Sequence, residues 1–156
     1  MKPFLYIAAP LFSEAEREFN RILKHKLSQF CQVYLPQDDG QLFVKAVANG
    51  SSIELARNEI FLGDLQAIKR ADIILLVMDG RAVDEGACFE LGFAYALGKK
   101  CLGLQTDPRR LLPIGNNPMI DGALYTIFQC VQELLEWFHD PPKGIFGDIH
   151  DKSEKE

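Results

Sequence analysis

Short apolar runs alternate along the chain with longer stretches in which apolar residues recur every three or four positions. The runs predict β-strands at residues 3–9, 33–35, 71–78 and 100–105. The third run, ADIILLVM, is the most apolar of the four, which predicts a central parallel strand buried on both faces.

The longer stretches predict helices, and several begin with a recognisable N-cap. Ser13 has Glu16 three residues later, which is the spacing of a capping box. Either Ser51 or Ser52 caps the second long helix. The predicted long helices cover residues 14–30, 53–70, 84–98 and 124–138. Residues 37–40 and 106–120 are predicted as loops, and residues 41–50 are ambiguous between a short helix and irregular structure.

This alternation predicts an α/β fold with an open, mostly parallel, flavodoxin-like (Rossmann-like) sheet and helices on both faces. We expect one domain over residues 1–140, followed by a polar C-terminal tail over 141–156. Ligands of such sheets bind beyond the carboxyl ends of the strands. The loops expected to meet there are residues 8–13, 37–41, 79–86 and 106–120.

Composition narrows the possible partners. The net charge of -5 argues against binding to nucleic acid, which usually requires a basic surface. No apolar run approaches the roughly 18 residues of a membrane span, and the N-terminus does not have the layout of a signal peptide, so we expect a cytoplasmic protein. The scattered histidines and cysteines predict no metal site. Phosphate-binding glycine motifs are absent, and no cofactor is expected.

Carboxylates cluster in the segment DEGACFELG. Asp84, Glu85 and Glu90 lie at the start of a predicted helix that points into the crevice. Because a helix N-terminus favours negative charge, we expect Glu90 to be ionised and available as a nucleophile. The alternative is that Asp84 caps the helix and Glu90 pairs with a lysine.

Other candidate residues come from the neighbouring elements. Asp64 lies beside the buried side of its helix, where it either reaches the crevice or faces solvent, whereas Asp72 belongs to the turn before the central strand. Several carboxylates near one pocket suit glycosyl transfer. Tyr6, in strand one, is placed to meet Glu90. Phe12, after that strand, either stacks on a flat ring or packs in the core.

Four segments together resemble the nucleoside 2-deoxyribosyltransferase family. They are YIAAPLF at 6–12, D-L-x-x-I-x-x-x-D at 64–72, D-x-G-x-x-x-E-L-G-x-A at 84–94 and N-x-M at 117–119. The third is the most specific. The resemblance extends from Leu5 to about Met119.

The resemblance implies a role for each reacting residue. Glu90 matches a nucleophile that forms a covalent deoxyribosyl-enzyme, and Tyr6 matches the tyrosine that orients it. Asp84 matches a carboxylate that holds the sugar hydroxyl. Asp64 matches the acid that assists departure of the base.

The resemblance also implies residues that bind the substrate. Phe12 matches an aromatic wall of the base pocket, and Asn117 and Met119 match residues that a neighbouring subunit contributes. Family members often carry a base-contacting glutamine after strand two. Here that position falls on Gly40, with Gln37 and Gln41 nearby, and Gln41 is the candidate base contact.

The implied function is transfer of 2-deoxyribose between purine or pyrimidine bases, with retention, by double displacement. The implied partners are 2'-deoxyribonucleosides and free nucleobases, and the implied assembly is a homo-oligomer, a dimer or a trimer of dimers, with shared active sites. One alternative is a hydrolase that cleaves 2'-deoxynucleoside 5'-monophosphates, for which Ser13, Ser51 and Ser52 are the candidate phosphate donors. Another is a non-catalytic nucleotide sensor.

Overall fold

The computed structural model describes residues 2–40, 48, 50, 52–109 and 115–142. Within these residues five strands form one parallel sheet in the order β2-β1-β3-β4-β5. The strands are β1 Phe4–Ala8, β2 Gln32–Tyr34, β3 Ile73–Val77, β4 Lys100–Leu104 and β5 Thr126–Phe128. This is the strand order of flavodoxin-like sheets, so the predicted fold class is confirmed.

Helices cover both faces of the sheet. They are α1 Glu14–Leu27, α2 Pro36–Asp39, α3 Ile53–Arg70, α4 Glu85–Ala96, α5 Pro118–Asp121 and α6 Val131–His139. Successive strand residues point to opposite faces. Leu5 and Ile7 of β1 therefore pack with α1 and α6, whereas Tyr6 and Ala8 pack with α3 and α4.

Several helix starts follow the sequence prediction. Ser13 and Glu16 form the predicted capping box. Of the two candidate serines for α3, Ser52 is the N-cap, and its hydroxyl accepts a hydrogen bond from the Leu55 amide at 3.1 Å. Gly98, with a φ of +69°, follows the end of α4 in the left-handed conformation that glycine adopts readily.

The prediction of one helix over 124–138 is wrong in its first half. Residues 126–128 form edge strand β5, which pairs with β4 from Leu102 to Leu104, and α6 begins only at Val131. A short apolar run such as T-I-F does not distinguish strand from helix by periodicity, and the pairing with β4 decides the outcome.

Other differences are smaller. The predicted loop at 37–40 lies in a helical turn, α2, which begins with Pro36 at a position where its missing amide hydrogen costs nothing. The loop at 106–120 ends in helical turn α5, and α1 ends at Leu27 instead of continuing to about residue 30. Most of segment 41–50 and of the tail 141–156 lies outside the described residues.

No helix among the described residues is both long enough and apolar enough to cross a membrane.

Candidate active site

Tyr6 and Glu90 form the closest polar contact between the sheet and α4. The Tyr6 hydroxyl donates a hydrogen bond of 2.6 Å to Oε1 of Glu90. Tyr6 is completely buried in β1, and Glu90 is partly buried. The predicted meeting of these two side chains is therefore present, and it fixes one oxygen of the carboxylate.

Burial, rather than a helix N-terminus, controls the charge of Glu90. Glu90 is the sixth residue of α4 and lies beyond the first turn. The free backbone amides and most of the helix dipole effect are confined to that first turn. The pKa of Glu90 is raised to about 8, mainly by burial and to a lesser degree by the charges of Asp64 and Asp84, while the Tyr6 hydrogen bond lowers it in part. The expectation that the helix N-terminus keeps Glu90 ionised is wrong.

Asp84 is the N-cap of α4. Its Oδ1 accepts a hydrogen bond of 2.9 Å from the Ala87 amide, as the alternative reading of the sequence proposed. The second half of that alternative is wrong, because none of the ion pairs among the described residues joins Glu90 to a lysine. Asp84 stays close to Glu90, since its charge contributes to the raised pKa of Glu90.

Asp64 faces the same pocket as Glu90 and not open solvent. Burial raises the pKa of Asp64, and a hydrogen bond from the Tyr34 hydroxyl, 3.5 Å from Oδ1, opposes part of this effect, so that the resulting pKa is about 6. Tyr34 pairs with Tyr6 across β2 and β1, and their rings stack with centroids 5.4 Å apart. The site therefore contains two neighbouring phenol–carboxylate pairs.

Tyr34 is a site residue that the sequence analysis missed. It is the last residue of β2, and its strand register with Tyr6 becomes visible only when the two strands are paired. Burial, together with the negative charge of Asp64, raises the pKa of the Tyr34 hydroxyl to about 12, so it is a hydrogen-bond donor at physiological pH.

A pocket of about 290 Å³ lies between α3 and α4, and both carboxylates line it. Its volume is close to the lower end of the roughly 300 to 1,000 Å³ found for small-molecule sites. The rings of Phe61 and Phe89, about half exposed, stand 6.1 Å apart at this pocket. Further apolar lining residues are Ile60, Leu65 and Ile68. Among the described residues, Arg57 is the one basic residue in the lining, and the sequence analysis missed it too.

Phe12, Asn117 and Met119, three of the predicted substrate-binding residues, are not part of the lining of this pocket. Phe12 is 74% exposed, which rules out its packing in the core, and Met119 is 82% exposed. Asn117 caps α5 by accepting a hydrogen bond from the Met119 amide, and it lines a second pocket, of about 250 Å³, beside Cys88 on the other side of α4. Gln41 lies outside the described residues.

Two of the residues after β2 are unsuitable as base contacts. Gln37 is buried, and its amide accepts from Asn20 and donates to the Arg17 carbonyl. A Cβ added at Gly40 would lie 2.5 Å from the Pro36 carbonyl oxygen, so a side chain there would clash with the backbone.

Asp72 accepts a hydrogen bond from the Phe4 amide at the opposite end of the strands, in agreement with the predicted turn role.

The arrangement suits chemistry at a glycosidic carbon. One carboxylate, held by Tyr6, is placed to attack, and a second with a raised pKa is placed to supply a proton to the leaving group. Among the described residues, no group of three or more histidine, cysteine, aspartate or glutamate side chains is arranged to hold a metal ion.

Comparison with solved structures identifies proteins with a similar fold. A conserved protein from Enterococcus faecalis V583 has a TM-score of 0.74 and 24% identity, covering 89% of this chain and 98% of that one. A 2-deoxyribosyltransferase from Bacillus psychrosaccharolyticus has a TM-score of 0.69 and 25% identity, covering 85% of this chain and 90% of that one. A CMP N-glycosidase from Clostridium botulinum shares the fold, with a TM-score of 0.57, 18% identity and coverage of 87% and 98%. A search of curated proteins gave no match.

Comparison of the sequence with protein-family models identifies the family itself. The model of the nucleoside 2-deoxyribosyltransferase family matches residues 5–149, a range that contains every candidate site residue. The protein is accordingly an enzyme of the deoxyribosyltransferase or related N-glycosidase type, which implies nucleoside substrates, and the chain belongs to the nucleoside 2-deoxyribosyltransferase family.

Proposed function

We propose that this enzyme transfers 2-deoxyribose between the bases of 2'-deoxyribonucleosides through a covalent intermediate on Glu90. The observation that carries the proposal is the 2.6 Å hydrogen bond from Tyr6 to Glu90 in a pocket that Asp64 also lines. A sensor domain has no need for two carboxylates with raised pKa values in one pocket, because such groups repel a phosphate and cost stability.

In the first half-reaction, the free carboxylate oxygen of Glu90 attacks C1' of the sugar. The bond from C1' to the base nitrogen breaks, its electron pair goes to the base, and Asp64 supplies the proton that the departing base requires. In the second half-reaction a new base attacks C1', the bond to Glu90 breaks, and Asp64 takes the proton from the incoming base. Two inversions at C1' give net retention.

This scheme requires Glu90 ionised and Asp64 protonated in the same molecule. Burial raises the pKa of both carboxyl groups, to about 6 for Asp64 and about 8 for Glu90, so between these values the pair holds one proton, which lies on Glu90 in most molecules and on Asp64 in the reactive minority. The Tyr6 hydrogen bond favours the ionised form of Glu90, and it thereby increases the fraction of molecules in which the shared proton lies on Asp64.

Preference for 2-deoxyribose follows from the crowding around Glu90. A ribose 2'-hydroxyl would stand on the face of the sugar that Glu90 approaches, close to the buried Tyr6 and Ala87. It would also withdraw electrons from an oxocarbenium-like transition state. Oδ1 of Asp84 caps α4, and the second oxygen of this carboxylate is suited to accept a hydrogen bond from a sugar hydroxyl.

We further propose that Asn117 and Met119 serve the pocket of a neighbouring subunit in a homo-oligomer. In one chain they lie away from the pocket that contains Glu90, and the Met119 side chain is 82% exposed. Mixing two inactive variants, Glu90→Ala and Asn117→Ala, should restore part of the activity through hybrid sites. No recovery on mixing, or a fully active monomer at high dilution, would contradict the shared site.

A second candidate function is hydrolysis of 2'-deoxynucleoside 5'-monophosphates, and Arg57 is the observation that favours it. Arg57 lines the pocket of Asp64 and Glu90, and seven residues of α3 place it about 10 Å from Asp64 along the helix axis. Among the described residues, the charges that shift the pKa of Glu90 are those of Asp64 and Asp84, and Arg57 is not one of them. A guanidinium that does not neutralise the carboxylates is suited to bind a phosphate.

Two of the three serines considered for this role make other hydrogen bonds. Ser13 and Ser52 use their hydroxyls as helix N-caps, and Ser51 lies outside the described residues. The fold shared with a CMP N-glycosidase is consistent with this second candidate.

If the enzyme is a monophosphate hydrolase, Arg57→Ala should raise KM for a monophosphate by about 10- to 100-fold and leave KM for the nucleoside unchanged. Arg57→Lys should recover part of the loss.

One comparison of substrates separates the two functions. Deoxyinosine, inosine and deoxyinosine 5'-monophosphate are each incubated with and without free adenine, and the products are separated by chromatography. Formation of deoxyadenosine from deoxyinosine, with little reaction of inosine, supports the transferase. Release of free sugar phosphate from the monophosphate, unaffected by adenine, would replace it with the hydrolase.

A further inference from the structure

The loop between β1 and α1, residues 10–13, is held by side chains of α1 at nearly every backbone polar group. Arg17 donates to the Leu11 and Phe12 carbonyls at 3.2 and 2.7 Å. Oε2 of Glu16 accepts from the Phe12 and Ser13 amides at 3.0 and 2.7 Å. A loop with this many bonds has few alternative conformations, although the Phe12 side chain that it carries is exposed.

The most deeply buried hydrogen bond to this loop comes from a pair of side-chain amides. Asn20 is 1% exposed, and its Nδ2 donates to the Pro10 carbonyl at 2.8 Å and to Oε1 of Gln37 at 3.0 Å. Nε2 of Gln37 in turn donates to the Arg17 carbonyl at 2.9 Å. The pair therefore ties the loop after β1 to the segment after β2 through α1. We call Asn20 and Gln37 the amide bridge.

Two amide side chains are an unusual choice if the only requirement at these buried positions is to fill space. Two primary amides must give up water on burial, and an apolar pair of similar size fills the same space without this cost. What the amides add is direction, because each hydrogen bond specifies where one carbonyl must lie. The carbonyl at the end of the chain of bonds belongs to Pro10, two residues before Phe12.

We infer that Asn20 and Gln37 are positioning residues that preorganise Phe12 to stack on a nucleobase. This inference rests on the proposed function only in requiring that a base binds at Phe12. Neither amide touches substrate. A ring on a loop already held in one conformation loses little entropy on binding, so the amide bridge strengthens base binding without taking part in the reaction.

The main test variant is the double substitution Asn20→Leu/Gln37→Met. Replacing both partners with apolar residues of similar volume avoids leaving one buried amide unpaired, so the fold should be retained while the bond to Pro10 is lost. The single variant Asn20→Ala serves as a second perturbation. We expect the dissociation constants of adenine and thymine, measured by calorimetry, to rise roughly 5- to 50-fold for whichever of them the wild type binds.

The matched control is Lys24→Ala. Lys24 also joins α1 to α2, through an ion pair of 2.5 Å with Asp39, but none of the hydrogen bonds or ion pairs found among the described residues joins it to residues 10–13. Hydrogen exchange of the peptide containing residues 10–13 should accelerate in the amide-bridge variants and stay unchanged in Lys24→Ala. This readout does not depend on which reaction the enzyme catalyses.

Phe12→Ala completes the test as a double-mutant cycle. If the amide bridge acts through Phe12, the amide-bridge substitutions should not weaken base binding further in the Phe12→Ala background. An undiminished effect in the Phe12→Ala background would overturn the inference, and so would unchanged exchange at residues 10–13. Failure of both bases to bind the wild type would also overturn it. If the wild type binds a base but catalyses no base exchange, the proposed transferase function is refuted. The inference about Asn20 and Gln37 is then still decided by the binding and exchange measurements on their variants.

Discussion

On the face of the sheet that α1 and α6 cover, the buried cluster consists of aliphatic and aromatic side chains, with Cys31 as the exception. On the face that α3 and α4 cover, the cluster contains the phenol of Tyr6 and several alanines. These alanines are Ala8, Ala67, Ala71, Ala87 and Ala94. Glu90 and Asp64 lie beside this second cluster, with pKa values that burial raises.

The difference shows how one small domain separates stability from chemistry. Large apolar side chains on the first face supply hydrophobic stabilisation that is independent of pH. Small residues on the second face leave room for groups whose burial is unfavourable when they are charged. We therefore expect substitutions on the two faces to differ in kind: those near Glu90 should change turnover, and those under α6 should change stability.

The largest effect on turnover should come from Glu90→Gln. The amide keeps the shape of the side chain but cannot form the covalent intermediate, so we expect base exchange to fall by roughly 10⁴-fold or more. Steady-state rates with deoxyinosine and adenine measure the loss. A deoxyribosyl adduct on the wild-type peptide that contains Glu90, detected by mass spectrometry, provides independent support. Substantial turnover by the variant would mean that another residue is the nucleophile.

The same variant should be more stable than the wild type at high pH. The folded pKa of Glu90, about 8, lies above its ordinary value of 4.5, so its contribution to stability is fully present below about pH 4.5 and is lost as the pH rises through about 8. Glu90→Gln cannot ionise and escapes this loss, which amounts to at most about 5 kcal/mol. The loss develops between about pH 4.5 and pH 8, so urea unfolding should show a small gain at pH 5 and the full gain at pH 9.

Asp64→Asn should have the next largest effect. Without an acid to protonate the departing base, we expect turnover to fall by about 10² to 10⁴ for ordinary bases. A substrate whose leaving group needs no proton, such as a deoxyribosyl nitrophenyl ether, should lose much less. Equal losses for both kinds of substrate would mean that Asp64 acts on the structure instead of on the leaving group.

The two tyrosines provide a sharper test because they should move different limbs of the pH profile and only one of them should lower the plateau rate. Tyr6→Phe removes the hydrogen bond that favours ionised Glu90, so turnover should fall roughly 10- to 100-fold and the upper limb of the pH profile should move above about 8. Tyr34→Phe removes the bond that lowers the pKa of Asp64, so the lower limb should move above about 6 without a loss of plateau rate.

The measurement is kcat/KM from pH 5 to pH 10 for the wild type and both variants. The wild-type profile should be bell-shaped, because the reactive form carries one proton on the carboxyl pair. A similar loss of plateau rate in both variants would show that the tyrosines act only by packing.

The smallest effect on turnover should come from Leu134→Ala, on the opposite face. Leu134 is completely buried against the cluster under α6. Its truncation should cost about 2 to 5 kcal/mol of unfolding free energy, yet kcat of the folded enzyme should stay within about twofold of the wild type. Denaturant unfolding and assays well below the melting temperature check the two halves of this prediction. A large loss of kcat would erase the distinction between the faces.

The order of elements, the central strand β3 and the helix caps followed from the sequence. Each depends on neighbours in the chain: Ser13 and Glu16 are three residues apart, Asp84 and Ala87 likewise, and the apolar run of β3 is continuous. Asp84 and Glu90 were recognised for the same reason, since their spacing at the start of α4 is a local property. Strand β5 was missed because its assignment depends on pairing with β4.

Only the tertiary structure decided the charge state of the site and the identity of its supporting residues. The pKa of Glu90 depends on how deeply α4 buries it and on the charges of Asp64 and Asp84, and the sequence pattern alone predicted the wrong sign. Tyr34 meets Tyr6 through strand register, and Asn20 meets Gln37 across 17 residues. Desolvation and long-range pairing are properties of the packed molecule, so no local spacing in the chain encodes them.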